Sequence, residues 1–403
     1  MRTVTVGFQA AMIQPTQNAL YRRFIYGGTD YSAYPKTYGP ITLDAKQIIA
    51  GTAIMDLINS DQSWSNMLLT TPTLLRQSGT IELGIDVGGV PQYVTFFTGE
   101  LDGTHFISDY VSCQFRNRMM TVLDETVGST GAAVDYFTTG PEAGNSYNPA
   151  DMAWSILTTY GGLTAADRDL AIWQAWWTDC NTMGLRLEGN FTGQTIRWIL
   201  RQIAWLSTSI IFVRGDDQFV FYRYVPSLAA FPVYNDNNTH LVEVKQTLDE
   251  LLNQITCWYE WDPNATPPAW IGGSTTVNDP ISQAQPWGII AHTEDSTTLW
   301  HYDLASATEF CNRTLLRYAN PLELCSFDTG LQGFINEPGD LIALTMNFFN
   351  YSSTIFEIRK VIFNLNLGKV RIEAVNAASW TSGVFILDHA VHGLLDQNYN
   401  PLY

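Results

Sequence analysis

An alternation of apolar and polar residues, interrupted by paired glycines, restricts the first third of this chain to antiparallel β-structure. Residues 80–87 alternate, Gly88 and Gly89 can adopt the positive φ of a tight hairpin turn, and residues 92–99 form the returning strand. Strands that follow one another closely in sequence favour an antiparallel sheet or a small barrel.

The flanking segments extend this β pattern. Residues 1–7 alternate like a strand, Asp102 and Gly103 predict the next turn, and 107–121 predict a third strand. Residues 128–144 are rich in Gly, Ser, Ala, Thr and Pro, so we place a domain boundary near them.

Helix signals dominate the middle of the chain. The predicted helix starts are Asn148 followed by Pro149, Thr164 with Asp167, and Thr195. Residues 196–203 carry isoleucine and leucine at helical spacing, which predicts one buried face. Residues 211–222 then predict a β-hairpin, so this stretch is a small α+β unit.

The last part returns to β-structure. We expect a strand at 255–259, a long loop at 262–286 and a helix capped by Asp303. Later strands are predicted at 323–327, 340–346, 353–363 and 369–375. The predicted domains are 1–127 and 241–376, both β, with 128–240 between them as an α+β insertion and 377–403 as a C-terminal arm.

Charge and composition exclude several classes of function. The 403 residues carry a formal net charge of −18, which argues against sequence-independent binding to nucleic acid or anionic lipid. No run approaches the length of a membrane span and no signal peptide is visible. The five cysteines are widely spaced without a CxxC pair, so we expect reduced core thiols made in a cytosol.

A search for catalytic or metal-binding motifs gives weak candidates. The chain has no GxSxG, HExxH, phosphate-loop or dinucleotide fingerprint. The candidate metal ligands are the pair His389 and His392, with His292, His301 and Asp303 available only through folding. The acidic pair Asp216 and Asp217 falls in a predicted turn, where acids usually bond to backbone. We therefore expect no catalytic residue, no metal and no cofactor.

Aromatic and basic residues leave more than one role open. The tryptophans fall in two groups, Trp173, Trp176 and Trp177 on one helical stripe, and Trp258, Trp261, Trp270, Trp287 and Trp300 around the predicted loop. They can pack a core, form a subunit interface or stack on sugars. The basic candidates are Arg116, Arg118, Arg359 and Lys360, which can pair with the abundant acids or make contacts between subunits.

Two segments resemble the baseplate hub or tail-tip hub proteins of tailed bacteriophages. Residues 96–103 (FFTGELDG) are similar to the strand that closes the first barrel of that family. Residues 336–345 (NEPGDLIALT), with the strands after them, are similar to the turn that opens a strand pair in its last barrel. The helix at 196–206 and the hairpin at 211–222 follow in the family's order, so the resemblance spans about residues 20–376, while 262–286 and the C-terminal arm do not map onto it.

The resemblance implies an α+β, mostly β fold, with two tail-tube-like antiparallel β-barrels flanking a smaller α+β insertion. It implies a homotrimer whose six barrels form a pseudo-six-fold ring between a six-fold tail tube and a three-fold tip or spike. The implied partners are an adjacent tail-tube or distal tail protein, a tip, spike or fibre protein, and the tape measure protein, with DNA only in transit. The implied location is the virion tail, after synthesis in the host cytoplasm.

Free backbone groups lie at the edge strands, so we expect subunit interfaces there, and we expect 93–99 and 340–346 to be strands of the two barrels. The turn at Pro338, Gly339 and Asp340 should matter for the fold. Two alternatives remain: a tail-tip protein that binds a glycan through its tryptophans, and a cell-wall hydrolase with a carboxylate pair.

Overall fold

The computed structural model describes residues 4–13, 20–44, 48, 51–71, 73, 77–128, 134–135, 147–223 and 232–377. The N-terminal part contains α1 (Val6–Ile13), β1 (Leu20–Tyr26), β2 (Thr29–Asp30), β3 (Pro35–Tyr38), β4 (Ile41–Asp44), β5 (Thr52–Ile58), α2 (Ser63–Thr70), β6 (Ser78–Val87), β7 (Val90–Ile107) and β8 (Tyr110–Arg116). Seven of these strands form the N-terminal sheet, in the order β2-β1-β6-β7-β8-β5-β3. The predicted hairpin is its centre, with Gly88 and Gly89 at φ 65° and 86° in the turn.

Three predictions at the edges of this unit are wrong. Asp102 and Gly103 do not turn the chain, because a register shift between Leu101 and Gly103 forms a bulge and β7 continues to Ile107. The strand predicted at 107–121 stops at Arg116 and a helix follows.

The strand predicted at 1–7 is replaced in its described part by α1. The Thr5 hydroxyl accepts a hydrogen bond from the Phe8 backbone N–H (3.1 Å) and so caps the start of this helix. Phe8, Ala11 and Met12, spaced three and four residues apart, are buried.

The middle part contains α3 (Met119–Asp124), β9 (Thr126–Val127), β10 (Val134–Asp135), α4 (Pro149–Thr159), α5 (Leu170–Thr182), β11 (Leu187–Phe191), β12 (Gln194–Thr195), α6 (Ile196–Leu206), β13 (Ser209–Val213) and β14 (Phe219–Arg223). The caps at Asn148 and Thr195 are confirmed, since their side chains accept hydrogen bonds from the Ala150 and Trp198 N–H groups. Thr164 and Asp167 form a capping box on a short 3₁₀ turn instead of starting α5, which Asp169 caps.

The C-terminal part contains β15 (Val233–Asn235), β16 (Thr239–Thr247), β17 (Gln254–Asp262), β18 (Ala269–Asn278), α7 (Pro280–Gln283), β19 (Ala291–Glu294), β20 (Leu299–His301), α8 (Leu304–Tyr318), β21 (Leu322–Thr329), β22 (Leu341–Met346), β23 (Tyr351–Asn364) and β24 (Lys369–Asn376). The cap of α8 at Asp303 is confirmed. The C-terminal sheet has the order β15-β22-β23-β24-β21-β16, and β4 from the N-terminal part pairs with β23 as its seventh strand.

The long loop predicted at 262–286 is wrong, because it contains β18 and α7. β18 pairs antiparallel with β17, and Trp261 lies directly opposite Trp270 in this pair. Their rings are 5.1 Å apart, so a cross-strand aromatic contact stabilises the ribbon. A six-stranded middle sheet results, in the order β10-β11-β20-β17-β18 with β19 on β17.

Two cores organise these elements. One is shared by the N-terminal and C-terminal sheets, where Phe96 meets Phe334 and Phe363 edge to face, with ring centroids 5.4 and 5.2 Å apart. The other holds the middle part together, and β17, β20 and α8 contribute to it. The division into domains at 127, 240 and 376 stays a prediction, although residues 255–319 share the core of the middle part.

The predicted fold class, α+β and mostly β, is confirmed. The strands expected at 93–99 and 340–346 lie in β7 and β22, the second beginning at Leu341. All five cysteines are buried and free, as predicted. In the described part of the chain, no helix is both long enough and apolar enough to cross a membrane.

Candidate functional site

The turn between β13 and β14 contacts the N-terminal sheet, the turn that precedes the C-terminal strand β22 and the helices of the middle part, and we call residues 214–217 the junction turn. Its Gly215 carbonyl accepts a hydrogen bond from the Thr98 N–H of β7 (2.5 Å). A Cβ atom on Gly215 would lie 1.7 Å from the Phe96 carbonyl oxygen, so only glycine allows this approach. The segment 96–103, which carried the first resemblance, is therefore one wall of this site.

Arg214 of the junction turn joins the C-terminal sheet through Glu337. Its Nε and Nη2 donate to the two carboxylate oxygens of Glu337 at 2.7 and 3.1 Å. The Arg214 Nη1 is 3.3 Å from the Asp169 carboxylate at the start of α5. Glu337 has no exposed surface and Arg214 is 4% exposed, so this bidentate ion pair is fully desolvated.

A tight turn at 337–340 holds Glu337 in place. The Glu337 N–H donates to the Asp340 carboxylate (2.8 Å) and the Asp340 N–H donates to the Glu337 carbonyl (3.1 Å). Gly339, at φ 86°, donates its N–H to the Ile358 carbonyl of β23 (2.7 Å). Burial raises the pKa of Asp340 above its ordinary value. Residues 336–345, which carry the second resemblance, therefore form the side of the site that faces Arg214.

We expect Gly339→Val to destabilise the protein by about 2–3 kcal/mol, because a β-branched residue is strained at positive φ. The hydrogen bond from the Gly339 N–H to the Ile358 carbonyl holds the turn in place, so the backbone cannot shift to relieve this strain. Gly339→Asn is the matched control and should cost less, since asparagine tolerates this conformation. Urea denaturation measures both, and an unchanged midpoint for Gly339→Val would show that the turn does not constrain the fold.

Asp217, the last residue of the junction turn, contacts Arg118 at the start of α3. The Arg118 Nε is 3.3 Å from the Asp217 carboxylate, and the same guanidinium bonds to Asp167. Asp217 is at φ 66°. Burial raises the pKa of Asp217 to about 7, although Arg118 and Asn117 act in the opposite direction.

This raised pKa predicts a pH-dependent stability. The folded state keeps the Asp217 proton up to about pH 7, whereas the unfolded chain loses it near pH 4. The contribution of Asp217 to stability should therefore fall as pH rises from 4 to 7 and then level off. Asp217→Asn removes this titration and should be more stable than the wild type at pH 8 by up to about 4 kcal/mol, with little difference at pH 4.

Denaturation in urea at pH 4, 5, 6, 7 and 8 checks that difference. The exposed Asp102→Asn is the control and should shift stability by less than about 0.5 kcal/mol throughout. A constant difference between wild type and Asp217→Asn across the series would contradict the assignment.

The predicted metal ligands that lie in the described ranges, His292, His301 and Asp303, do not form a metal site. His301 is buried with its Nδ1 2.8 Å from the Ser306 hydroxyl, and Asp303 caps α8. His292 lies 3.5 Å from Glu294. His389 and His392 lie outside the described residues. Within the described ranges, no group of three His, Cys, Asp or Glu side chains could hold a metal ion.

The tryptophans divide between core and surface. Trp173 and Trp176 are buried, Trp177 is half-buried and donates to Asp151 (2.9 Å), and Trp300 is buried. Trp287 donates to the Ser282 hydroxyl (3.1 Å). The half-buried ring of Trp270 lies beside the half-buried rings of Trp258 and Trp261 on the β17–β18 ribbon, with ring centroids 6.2 and 5.1 Å apart. A sugar-stacking role for the exposed faces of these rings stays a prediction.

The four predicted basic residues are each close to a carboxylate. Arg116 lies near Asp124 (3.6 Å), and Lys360 near Glu373 (3.4 Å). Arg359 pairs with Glu250 (2.9 Å) beside a cavity of about 440 Å³ between the middle part and the C-terminal sheet. Arg317 and the buried Glu357 also line this cavity. Their role at subunit contacts stays a prediction.

The residues that form the junction are not singled out by the sequence. Arg214 and Gly215 fall within the hairpin predicted at 211–222, and Glu337 falls within the segment 336–345, with no signal that connects the two. The junction turn is held by a desolvated ion pair to Glu337, by a backbone hydrogen bond to Thr98 and by close packing against Phe96. These contacts connect the N-terminal sheet, the middle part and the C-terminal part.

The fold is similar to that of solved tail proteins. No protein-family model and no curated protein matches the sequence. Solved structures do match. The tail protein from Neisseria meningitidis MC58 is 12% identical with a TM-score of 0.56, covering 90% of this chain and 98% of that chain.

Two prophage tail proteins also have a similar fold. The 43 kDa tail protein of prophage MuSo2 from Shewanella oneidensis is 12% identical with a TM-score of 0.53, covering 90% of this chain and 99% of that one. Prophage tail protein gp18 from Listeria monocytogenes EGD-e is 12% identical with a TM-score of 0.51, covering 93% and 99%. The predicted resemblance to phage tail proteins is thus confirmed at the level of the fold.

Proposed function

We propose that this chain is a structural subunit of a phage tail tip or baseplate, with no catalytic role. The observation that carries the proposal is the match of 90–93% of the chain to three solved tail proteins. On this proposal the protein is located in the virion tail.

The finer proposal is a hub. Each chain supplies two tail-tube-like β-barrels, built from the N-terminal and C-terminal sheets, and three chains form a pseudo-six-fold ring. The shared core and the junction turn favour this, because two sheets locked together within one chain present a fixed spacing to their neighbours. The ring joins a six-fold tail tube to a three-fold tip or spike and forms part of the DNA channel.

The net negative charge of the chain supports a channel through which DNA passes without binding. A net charge of −18 repels the phosphate backbone and offers few cations to exchange for counterions. The partners on this proposal are a tail-tube or distal tail protein, a tip or fibre protein and the tape measure protein.

Native mass spectrometry of the purified protein tests the subunit number. Three chains of 45.1 kDa predict a particle of about 135 kDa. A stable dimer would contradict the hub, because a two-fold interface does not close a three-fold ring.

A further inference from the structure

The cavity between the middle part and the C-terminal sheet has the size and the walls of a small-molecule site. Its volume is about 440 Å³. Sites for small molecules have volumes of roughly 300–1,000 Å³, apolar walls and a few polar groups that fix the ligand. The apolar lining here includes Trp205 of α6, Tyr318 of α8, Ile210 of β13 and Leu252. The cavity can therefore hold a ligand with an apolar body.

The aromatic wall of this cavity is fixed in position by its own contacts. The Trp205 Nε1 donates a hydrogen bond to the Glu294 carboxylate (2.9 Å). The Trp205 ring meets Phe310 edge to face, with centroids 5.6 Å apart, and its centroid lies 6.1 Å from that of Tyr318. Because these rings are ordered before a ligand enters, binding against them loses little side-chain entropy.

Two ion pairs cross between the two parts of the molecule at the cavity. Arg317 at the end of α8 bonds to Glu357 of β23, and Arg359 of β23 bonds to Glu250 (2.9 Å). All four residues line the cavity. A guanidinium has five N–H donors, and among the described residues that of Arg359 makes one hydrogen bond. Arg359 can therefore donate to an acceptor group of a ligand.

The other charged residues of the lining favour an anionic group at this position. The Glu357 and Glu250 carboxylates each accept from a guanidinium, so both are already paired. Asp249 is exposed, and solvent screens its repulsion of an anion. Arg201 also lines the cavity and adds a second guanidinium near Arg359. The lining thus combines aromatic walls with donors of positive charge.

We propose that this cavity binds a small organic anion, whose aromatic or aliphatic body lies against Trp205 and Tyr318 and whose carboxylate, sulfonate or phosphate group accepts from Arg359. Hydrogen bonds from a guanidinium to such groups are short and strong. The ligand contacts α6, α8 and β23 together, so its binding stabilises the packing of the middle part on the C-terminal sheet. The inference does not depend on the proposed place in the virion tail.

Fluorescence titration of the full-length protein with a matched pair of probes tests the ligand class. Anilinonaphthalene sulfonate carries an anionic group, and N-phenylnaphthylamine has the same aromatic body without that group. The anionic probe should saturate and bind about tenfold more tightly than the neutral probe, the effect expected of a hydrogen bond to a charged group. Equal affinities, or no saturable binding of the anionic probe, would overturn the inference.

Variants of the lining test the position of the site. Arg359→Met should weaken the anionic probe about tenfold and leave the neutral probe unchanged. Its control is Arg371→Met, because Arg371 pairs with Asp328 and Glu243 on the same sheet and does not line the cavity. Ala204→Phe reduces the cavity and should weaken both probes.

Urea denaturation of each variant confirms that it is folded before the probes are compared. Equal effects of Arg359→Met and Arg371→Met on the anionic probe would place its site elsewhere and overturn the inference. A folded Ala204→Phe protein with unchanged affinities would do the same. The comparison of the two arginine variants decides the matter even where Ala204→Phe fails to fold.

Discussion

Replacement of Arg214 by methionine is expected to lower the free energy of unfolding by about 3–5 kcal/mol. Methionine keeps much of the volume but leaves the Glu337 carboxylate buried without its bidentate partner. An unpaired buried charge is strongly destabilising because no water can replace the lost donor. Urea denaturation at pH 7 measures the effect.

Two further variants separate the ion pair from general packing. The double variant Arg214→Met, Glu337→Leu should regain at least half of the loss, since an apolar pair of similar volume removes the desolvated charge. Lys360→Met breaks the partly exposed pair with Glu373 and should cost less than about 1 kcal/mol. Equal losses for Lys360→Met and Arg214→Met would contradict the role given to the buried pair.

Gly215→Ala is expected to cost at least about 3 kcal/mol. The added methyl group would lie 1.7 Å from the Phe96 carbonyl oxygen, so the junction turn would have to move away from β7. That movement breaks the bond between the Thr98 N–H and the Gly215 carbonyl.

The control for this variant is Gly103→Ala. An added Cβ at Gly103 meets no atom within 4 Å, so the change should stay within about 0.5 kcal/mol. Thermal unfolding compares the two proteins. A Gly215→Ala protein as stable as Gly103→Ala would show that the turn does not dock tightly on the N-terminal sheet.

Signals that act over a few residues were readable from the sequence. The caps at Asn148, Thr195 and Asp303 bond to N–H groups two or three residues away, and Gly88 and Gly89 turn a hairpin locally. Such features depend on neighbours in sequence, which is why their predictions were confirmed.

Features that depend on distant partners were not readable. Arg214 and Glu337 are 123 residues apart, and nothing near either one indicates the other. The pairing of β4 with β23 likewise joins the N-terminal part to the C-terminal sheet, between residues more than 300 positions apart in sequence. Composition predicted a turn at Asp102 and Gly103 and a loop at 262–286, but both segments lie in strands. Pairing with a neighbouring strand decides the local conformation there, through the bulge at Leu101–Gly103 and the contact between Trp261 and Trp270.

The most direct test of the hub is electron microscopy of the purified protein, with particles sorted by symmetry. We predict a ring with three-fold symmetry, a six-lobed outline and a central hole, in which each chain supplies two adjacent lobes. Particles with two-fold symmetry, or three-fold particles with three lobes and no central hole, would contradict it.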